Sequence, residues 1–277
     1  MPKEFPGEKL LIKVIDDLAD FLPYLILVGG WVPCIYSKYI WPFRLNNSSS
    51  GEIFTQRHFI PVVTTTDVDF GISVVSYPGE ESIADRVRRL GYGERHVSMD
   101  RLVPFVPIVK DANGDLKAEV EFITDPKVPK KIINKVVGQE IKINEIKHFG
   151  LLLSSITIAK MGAREIQIPT ESMFVFHKLL TFVDRENKEK LRKDLYYVYY
   201  MLRFSPKKEQ LADDVVQLIK KQKEGKQVKE NLEDYFDSVD SKGPLFVEEE
   251  NGPDAYISNV RQDAFDKLNG IRLRVKG

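Results

Sequence analysis

Leu11, Ile15, Leu18 and Leu22 recur at spacings of 4, 3 and 4, so residues 8–22 carry one apolar stripe and predict an amphipathic helix. Pro23 is expected to close that helix, and residues 25–28 (Leu-Ile-Leu-Val) follow as a short apolar strand. Gly29-Gly30 breaks the strand, and residues 31–39 read as a second helix. Residues 42–63 hold two prolines, Asn46-Asn47 and Ser48-Ser49-Ser50-Gly51, a composition that predicts a long loop. Residues 68–75 have the β-branched character of a strand. Pro78 can start a helix whose face includes Ile83, Val87 and Leu90, with Gly91 ending it. Residues 101–109 and 116–124 are extended runs joined through Asp111-Ala112-Asn113-Gly114-Asp115, where Asn-Gly signals a hairpin. Extended runs continue over 139–146, 151–160 and 165–168, with a turn at Met161-Gly162-Ala163.

From Pro169 the apolar period changes to about 3.6. Val175, Leu179 and Phe182 form one stripe, Leu191, Leu195, Val198 and Leu202 another, with the charged segment 184–190 between them. Residues 209–223 predict a further helix, followed by a Lys/Glu-rich link and an acidic, irregular tail containing Gly and Pro. The expected organisation is a mixed α/β domain over 1–168 and a helical domain over 169–277.

Charge and composition narrow the function. Among 277 residues, 41 Lys and Arg balance 41 Asp and Glu, so the net charge is zero. General binding to a polyanion needs surplus cations to displace counterions, so any nucleotide role must come from a local site. Cys34 is the one cysteine and cannot form an internal disulfide, which fits a reducing cytoplasm. The charged, Pro-rich start does not read as a signal peptide, and no apolar run reaches the roughly 18–20 residues that span a bilayer, so no membrane partner is expected.

The candidate chemistry lies in Thr65-Thr66-Asp67-Val68-Asp69-Phe70-Gly71. Side chains alternate along a strand, so Asp67 and Asp69 project to one face, where two ionised carboxylates repel each other and invite a cation. Such a pair also occurs as a turn cap followed by a solvated strand residue. Upstream, residues 25–31 read as strand, glycine turn and helix start, a place where a phosphate can approach the backbone. Downstream, Glu119 and Glu121 lie opposite Val120 and Phe122 in alternation and are candidates for a third carboxylate.

Taken in order, these elements resemble the nucleotidyltransferase fold of the DNA polymerase β superfamily: a strand ending in a glycine turn, a helix, Asp-x-Asp on the next strand and an acidic residue on a later one. The resemblance covers roughly residues 20–125 and implies an α+β chain, a mixed-sheet nucleotidyltransferase domain followed by a helical C-terminal domain. It implies Asp67, Asp69 and Glu121 as catalytic residues holding two Mg²⁺ ions, with Gly29 and Gly30 at the phosphates. Residues 172–180 and 192–196 resemble the Lys-Leu and Lys-Asp helices of stand-alone abortive-infection and toxin-type members, which implies Lys178 and Asp194 at the nucleotide. Glu121 is preferred to Glu119 because apolar residues flank it on both sides, as they usually flank the family's position.

The implied reaction moves a nucleoside monophosphate from an NTP such as ATP to a hydroxyl on tRNA, a protein or a small molecule, and the resemblance to toxin-type members implies a toxin with an antitoxin partner. This chain departs from the family in three respects: Gly30 replaces a serine, the stretch from Gly30 to Asp67 is long, and the third acid is Glu. The Gly30 and Glu121 departures keep open a non-catalytic nucleotide- or partner-binding protein on the same fold, and a Mg²⁺-dependent phosphohydrolase is a further alternative. Two basic clusters, Lys127, Lys130, Lys131 and Lys135, then Lys220, Lys221 and Lys223, read as solvated faces or an RNA groove. Tyr196, Tyr197, Tyr199 and Tyr200 read as inter-helix packing or an acceptor pocket.

Overall fold

A computed structural model describes residues 7–41, 67–73, 77–96, 104–251 and 259–276. The loop expected over 42–63, Thr65-Thr66, and the parts of the expected strands at 74–75 and 101–103 lie outside them. The chain divides into two compact units: one takes residues 7–35 and the described part of 64–170, the other residues 36–41 and the described part of 171–276. No helix among the described residues is long and apolar enough to cross a membrane.

Among the described residues the first unit has eight strands: β1 (Leu25–Leu27), β2 (Val68–Ile72), β3 (Gly93–His96), β4 (Phe105–Lys110), β5 (Lys117–Thr124), β6 (Ile143–Glu145), β7 (Ile156–Met161) and β8 (Arg164–Pro169). Their order is β3-β4-β5-β2-β1-β8-β7, with β6 also pairing β5. The sheet is mixed: β2 runs parallel to β5 and β1 parallel to β8, while β1–β2, β3–β4, β4–β5 and β7–β8 are antiparallel. All three residues of central β1 are buried. Val68, Phe70 and Ile72 share the apolar face with Val120 and Phe122, and the Phe70 and Phe122 rings stack at 6.2 Å. The opposite face carries the alternate, more polar positions of β2 and β5.

Helices frame this sheet. α1 (Glu8–Asp17) buries Leu10, Leu11, Val14 and Ile15, then passes into a 3₁₀ segment, Ala19–Tyr24, that contains Pro23. Proline therefore tightens the chain rather than closing a long helix. α2 (Trp31–Ile35) is a single turn that continues as π-type turns over Tyr36–Ile40. α3 (Ile83–Arg89) starts later than Pro78 predicts, because Ser82 and Asp85 form a reciprocal capping box at its N-terminus. The Asn113-Gly114 hairpin joins β4 and β5 as expected, with Asp111 N–H donating to the Leu116 carbonyl at 3.0 Å. Two short elements go beyond the sequence expectation, β3 and α4 (Lys130–Val137), while α5 (Phe149–Leu153) corrects the start of the extended run expected over 151–160, of which β7 takes the rest.

The second unit is helical, with α6 (Glu171–Thr181), α7 (Lys188–Phe204), α8 (Lys208–Lys221), α9 (Gly225–Tyr235), α10 (Lys242–Asn251) and α11 (Val260–Lys276). Asn187 caps α7 by accepting from the Glu189 and Lys190 N–H groups. The Lys/Glu-rich link and the irregular tail expected after residue 223 are corrected here: among the described residues these segments form α9, α10 and α11. Val228 and Leu232 supply the buried face of α9, while Val260, Ala264, Leu268 and Ile271 supply that of α11. Those apolar positions are sparse among charges, and Gly243-Pro244 and Asn269-Gly270 punctuate them. Asn231 of α9 donates to the Leu179 and Leu180 carbonyls at 2.9 and 3.2 Å, satisfying acceptors near the C-terminal end of α6.

Candidate active site

The acidic positions share one face because of strand register. β2 and β5 pair in parallel with Val68 opposite Val120 and Asp69 opposite Glu121. Asp67 precedes β2 by one residue, so Asp67, Asp69, Glu119 and Glu121 all project from the more polar face. All four are intermediate in exposure. The Asp67 carbonyl accepts the Trp31 indole N–H at 3.0 Å, which ties the start of β2 to α2. The Val28 N–H donates to the Asp69 carbonyl at 2.9 Å and extends the β1–β2 ladder to the glycine turn.

Gly29 sits at φ +69°, and a Cβ added there would stand 2.0 Å from Oδ2 of Asp69. The turn needs glycine for two reasons: the backbone is left-handed, and the Asp69 carboxylate rests where a side chain would be. Gly30 is buried, and its carbonyl accepts from the Cys34 thiol at 3.7 Å. Burial pushes the Cys34 thiol pKa up, so the single cysteine is a packed, protonated group.

The two glutamates are placed differently. Oε2 of Glu121 accepts from the Asn144 amide at 3.0 Å, and Asn144 comes from β6 beside β5. Glu119 instead receives a two-pronged bond from Arg95 of β3, Nε to Oε1 at 2.5 Å and Nη2 to Oε2 at 2.6 Å. That hydrogen-bonded pair raises the Arg95 pKa, with smaller contributions from the negative charges of Glu119 itself, Glu121 and Asp67. Sequence reasoning missed Arg95, Asn144 and Trp31. β3 is four residues of polar sequence, and the signal that could have found Arg95 is its place two residues into a strand next to a hairpin.

Mg²⁺ can be tested against this donor set. Among the described residues, no group of three or more His, Cys, Asp or Glu side chains stands ready to hold an ion. Mg²⁺ does not need one, since it takes oxygen ligands, keeps several waters and is bound by one or two carboxylates together with substrate phosphates. Asp67 and Asp69, with Glu121 across the strand pair, meet that requirement in chemistry and in shared face.

Lys178 and Asp194 lie in the helical unit, where they form a buried ion pair between α6 and α7. Nε of Arg185 reaches the other Asp194 oxygen at 2.8 Å. Burial acts to raise the Asp194 pKa, but Lys178 and Arg185 outweigh it and hold the carboxyl below its ordinary range. The four tyrosines of α7 are all buried. Tyr199 donates to Asp263 at 2.7 Å, and Tyr200 stacks on Trp41 at 6.1 Å. Of the basic clusters, Lys135 donates to the Tyr77 carbonyl at 2.6 Å, Lys130 pairs with Glu145 at 3.7 Å, and Lys220 and Lys221 lie in the last turn of α8, where a positive charge complements the helix dipole.

No family model matches this chain, and no curated protein matches it either. Among solved structures it is similar to an antigenic nucleotidyltransferase-like protein from Paracoccidioides brasiliensis, with 14% identity, 83% of this chain and 95% of that chain covered, and a TM-score of 0.41. A likeness that distant carries no weight for chemistry.

Proposed function

We propose that this chain is a metal-dependent nucleotidyltransferase that moves a nucleoside monophosphate from an NTP, ATP among them, to a hydroxyl on RNA, a protein or a small molecule. The observation that carries this reading is the register of Asp69 opposite Glu121 on one sheet face, with the Asp69 carboxylate against the Gly29 turn. Asp67, Asp69 and Glu121 would hold two Mg²⁺ ions, which when bound supply charge neutralisation at the transferred phosphoryl group and lower the pKa of the attacking hydroxyl.

The chain's own residues do the positioning. Gly29 and Gly30 keep the turn clear of side chains beside Asp69, leaving backbone for a phosphate to approach. The N–H groups of the turn itself would do the seating. Asn144 fixes the Glu121 carboxylate, and Trp31 fixes the backbone of Asp67. The stand-alone, toxin-type setting with an antitoxin partner belongs to the same proposal and is supported by the resemblance of residues 172–180 and 192–196.

The test is transfer of label from an α-labelled NTP with Mg²⁺, screened over the four NTPs with tRNA, protein and small acceptors. Asp67→Asn and Asp69→Asn are each expected to lower transfer about a hundredfold or more while the unfolding midpoint holds. Full activity in both variants would overturn the mechanism. A second reading, nucleotide or partner binding without turnover, is favoured by Gly30 standing where the family has a serine and by Glu121 standing as the third acid. NTP binding by calorimetry with no transfer across the whole screen would select it.

A further inference from the structure

Arg95 is a cation on an acidic face, and its placement there is built rather than incidental. In the β3–β4 pair Arg95 stands opposite Val106, and in the β4–β5 pair Ile108 stands opposite Glu119. Paired residues share a face and alternate residues return to it, so Arg95, Glu119, Glu121, Asp69 and Asp67 lie along one side of the sheet. Glu119 takes Nε and Nη2 of the guanidinium at 2.5 and 2.6 Å, a fork-to-fork arrangement that fixes the plane of the group. A guanidinium held along one edge still has donors on Nη1 and on the outer side of Nη2. The Arg95 side chain is 44% exposed among the described residues, which leaves surface of the group for an arriving ligand. A guanidinium cannot ligate a cation, and Glu119 already balances its charge. What it adds to an acidic face is directed recognition of an anion.

We propose that Arg95, oriented by Glu119, binds the polyphosphate of the substrate, and that Glu119 is a positioning residue and not a metal ligand. This rests on the nucleotidyltransferase reading above. It also divides the two glutamates by role: Glu121 belongs to the aspartates and Glu119 to Arg95.

The test uses the full chain with Mg²⁺ and inorganic tripolyphosphate, a probe that removes the question of base preference, followed by calorimetry. Arg95→Met is expected to weaken tripolyphosphate binding about 10- to 100-fold, the loss of charge-assisted hydrogen bonds. Arg95→Lys keeps the charge but not the fork, and is expected to fall between wild type and Arg95→Met. Glu119→Gln is expected to weaken binding about threefold, since it loosens the guanidinium without removing it, and to raise KM for NTP while leaving kcat nearly unchanged. The lysine variant also serves if the methionine variant fails to fold. Wild-type affinity in the folded Arg95 variants would overturn the inference and leave the transferase reading standing. A wild-type chain that binds no tripolyphosphate and transfers no nucleotide would overturn both.

Discussion

Gly29 and Asp69 define the site at the scale of single residues. A methyl group on Gly29 would overlap Oδ2 of Asp69 at 2.0 Å, and alanine at φ +69° would also be strained. Left-handed backbone costs a non-glycine residue about 1–2 kcal/mol, and displacing the carboxylate adds to it. Gly29→Ala is therefore expected to destabilise the chain by about 1–3 kcal/mol and to reduce Mg²⁺-dependent transfer further than the stability loss accounts for. Thermal unfolding, with transfer assayed well below the midpoint, checks both; an alanine variant with the wild-type midpoint and rate would show that Asp69 does not rest on the turn. Alternation alone paired Asp67 with Asp69 and Glu119 with Glu121 on their own strands, and the parallel register of β2 and β5 set the two pairs on one side. It could not separate Glu119 from Glu121, because the separating residue, Arg95, lies in a short polar strand that the apolar pattern does not mark.

At the scale of elements, legibility followed the density of apolar positions. β1, β2, β5 and α7 carry nearly continuous or strictly periodic apolar residues, and each was expected within a few residues of its observed limits. α9 and α11 bury only a few side chains apiece among many charges, and their helical state comes from the neighbours they pack on. The buried pair joining α6 and α7 shows what such packing costs. Removing one member of a buried ion pair strands the other, at about 3–5 kcal/mol, whereas replacing both by apolar residues is often neutral. Asp194→Leu, which strands Lys178, is expected to destabilise the chain by about 3 kcal/mol or more; Lys178→Met, which leaves Asp194 with Arg185, is expected to cost less, and the double variant to recover most of the Asp194→Leu loss. Arg185 does not block that recovery, because its side chain is 33% exposed and can turn to water. Chemical unfolding of the four chains gives the coupling directly; single variants that cost nothing would mean the pair does not hold these helices together.

For the whole molecule, equal numbers of acidic and basic residues conceal how unequally their pKa values respond to folding. Residues 36–41 belong with the helical unit, where the Trp41 indole donates to Glu171 at 2.7 Å across 130 residues of sequence. Contacts of that span have no periodic signature, and the environment of a carboxylate is just as invisible in a count of charges. Asp194 in the helical unit is depressed by Lys178 and Arg185 against the opposing effect of burial. Asp125 in the sheet unit is depressed as well, its burial outweighed by the Gly150 and Lys127 N–H groups that donate to it. A carboxyl whose folded pKa lies below its unfolded value of about 3.9 contributes stability that is fully present above that value and lost as pH falls through the folded pKa. Unfolding free energy is therefore expected to be flat from neutral pH to about 5 and to decline below it, by at most about 1.4 kcal/mol per pH unit for each such group. The double variant Lys178→Met/Asp194→Leu lacks one of these carboxylates, so its acid limb should be shallower than that of the wild type. Denaturant titrations followed by circular dichroism at pH 7, 5, 4 and 3 compare the two slopes, and identical acid limbs would remove Asp194 from the account of acid stability.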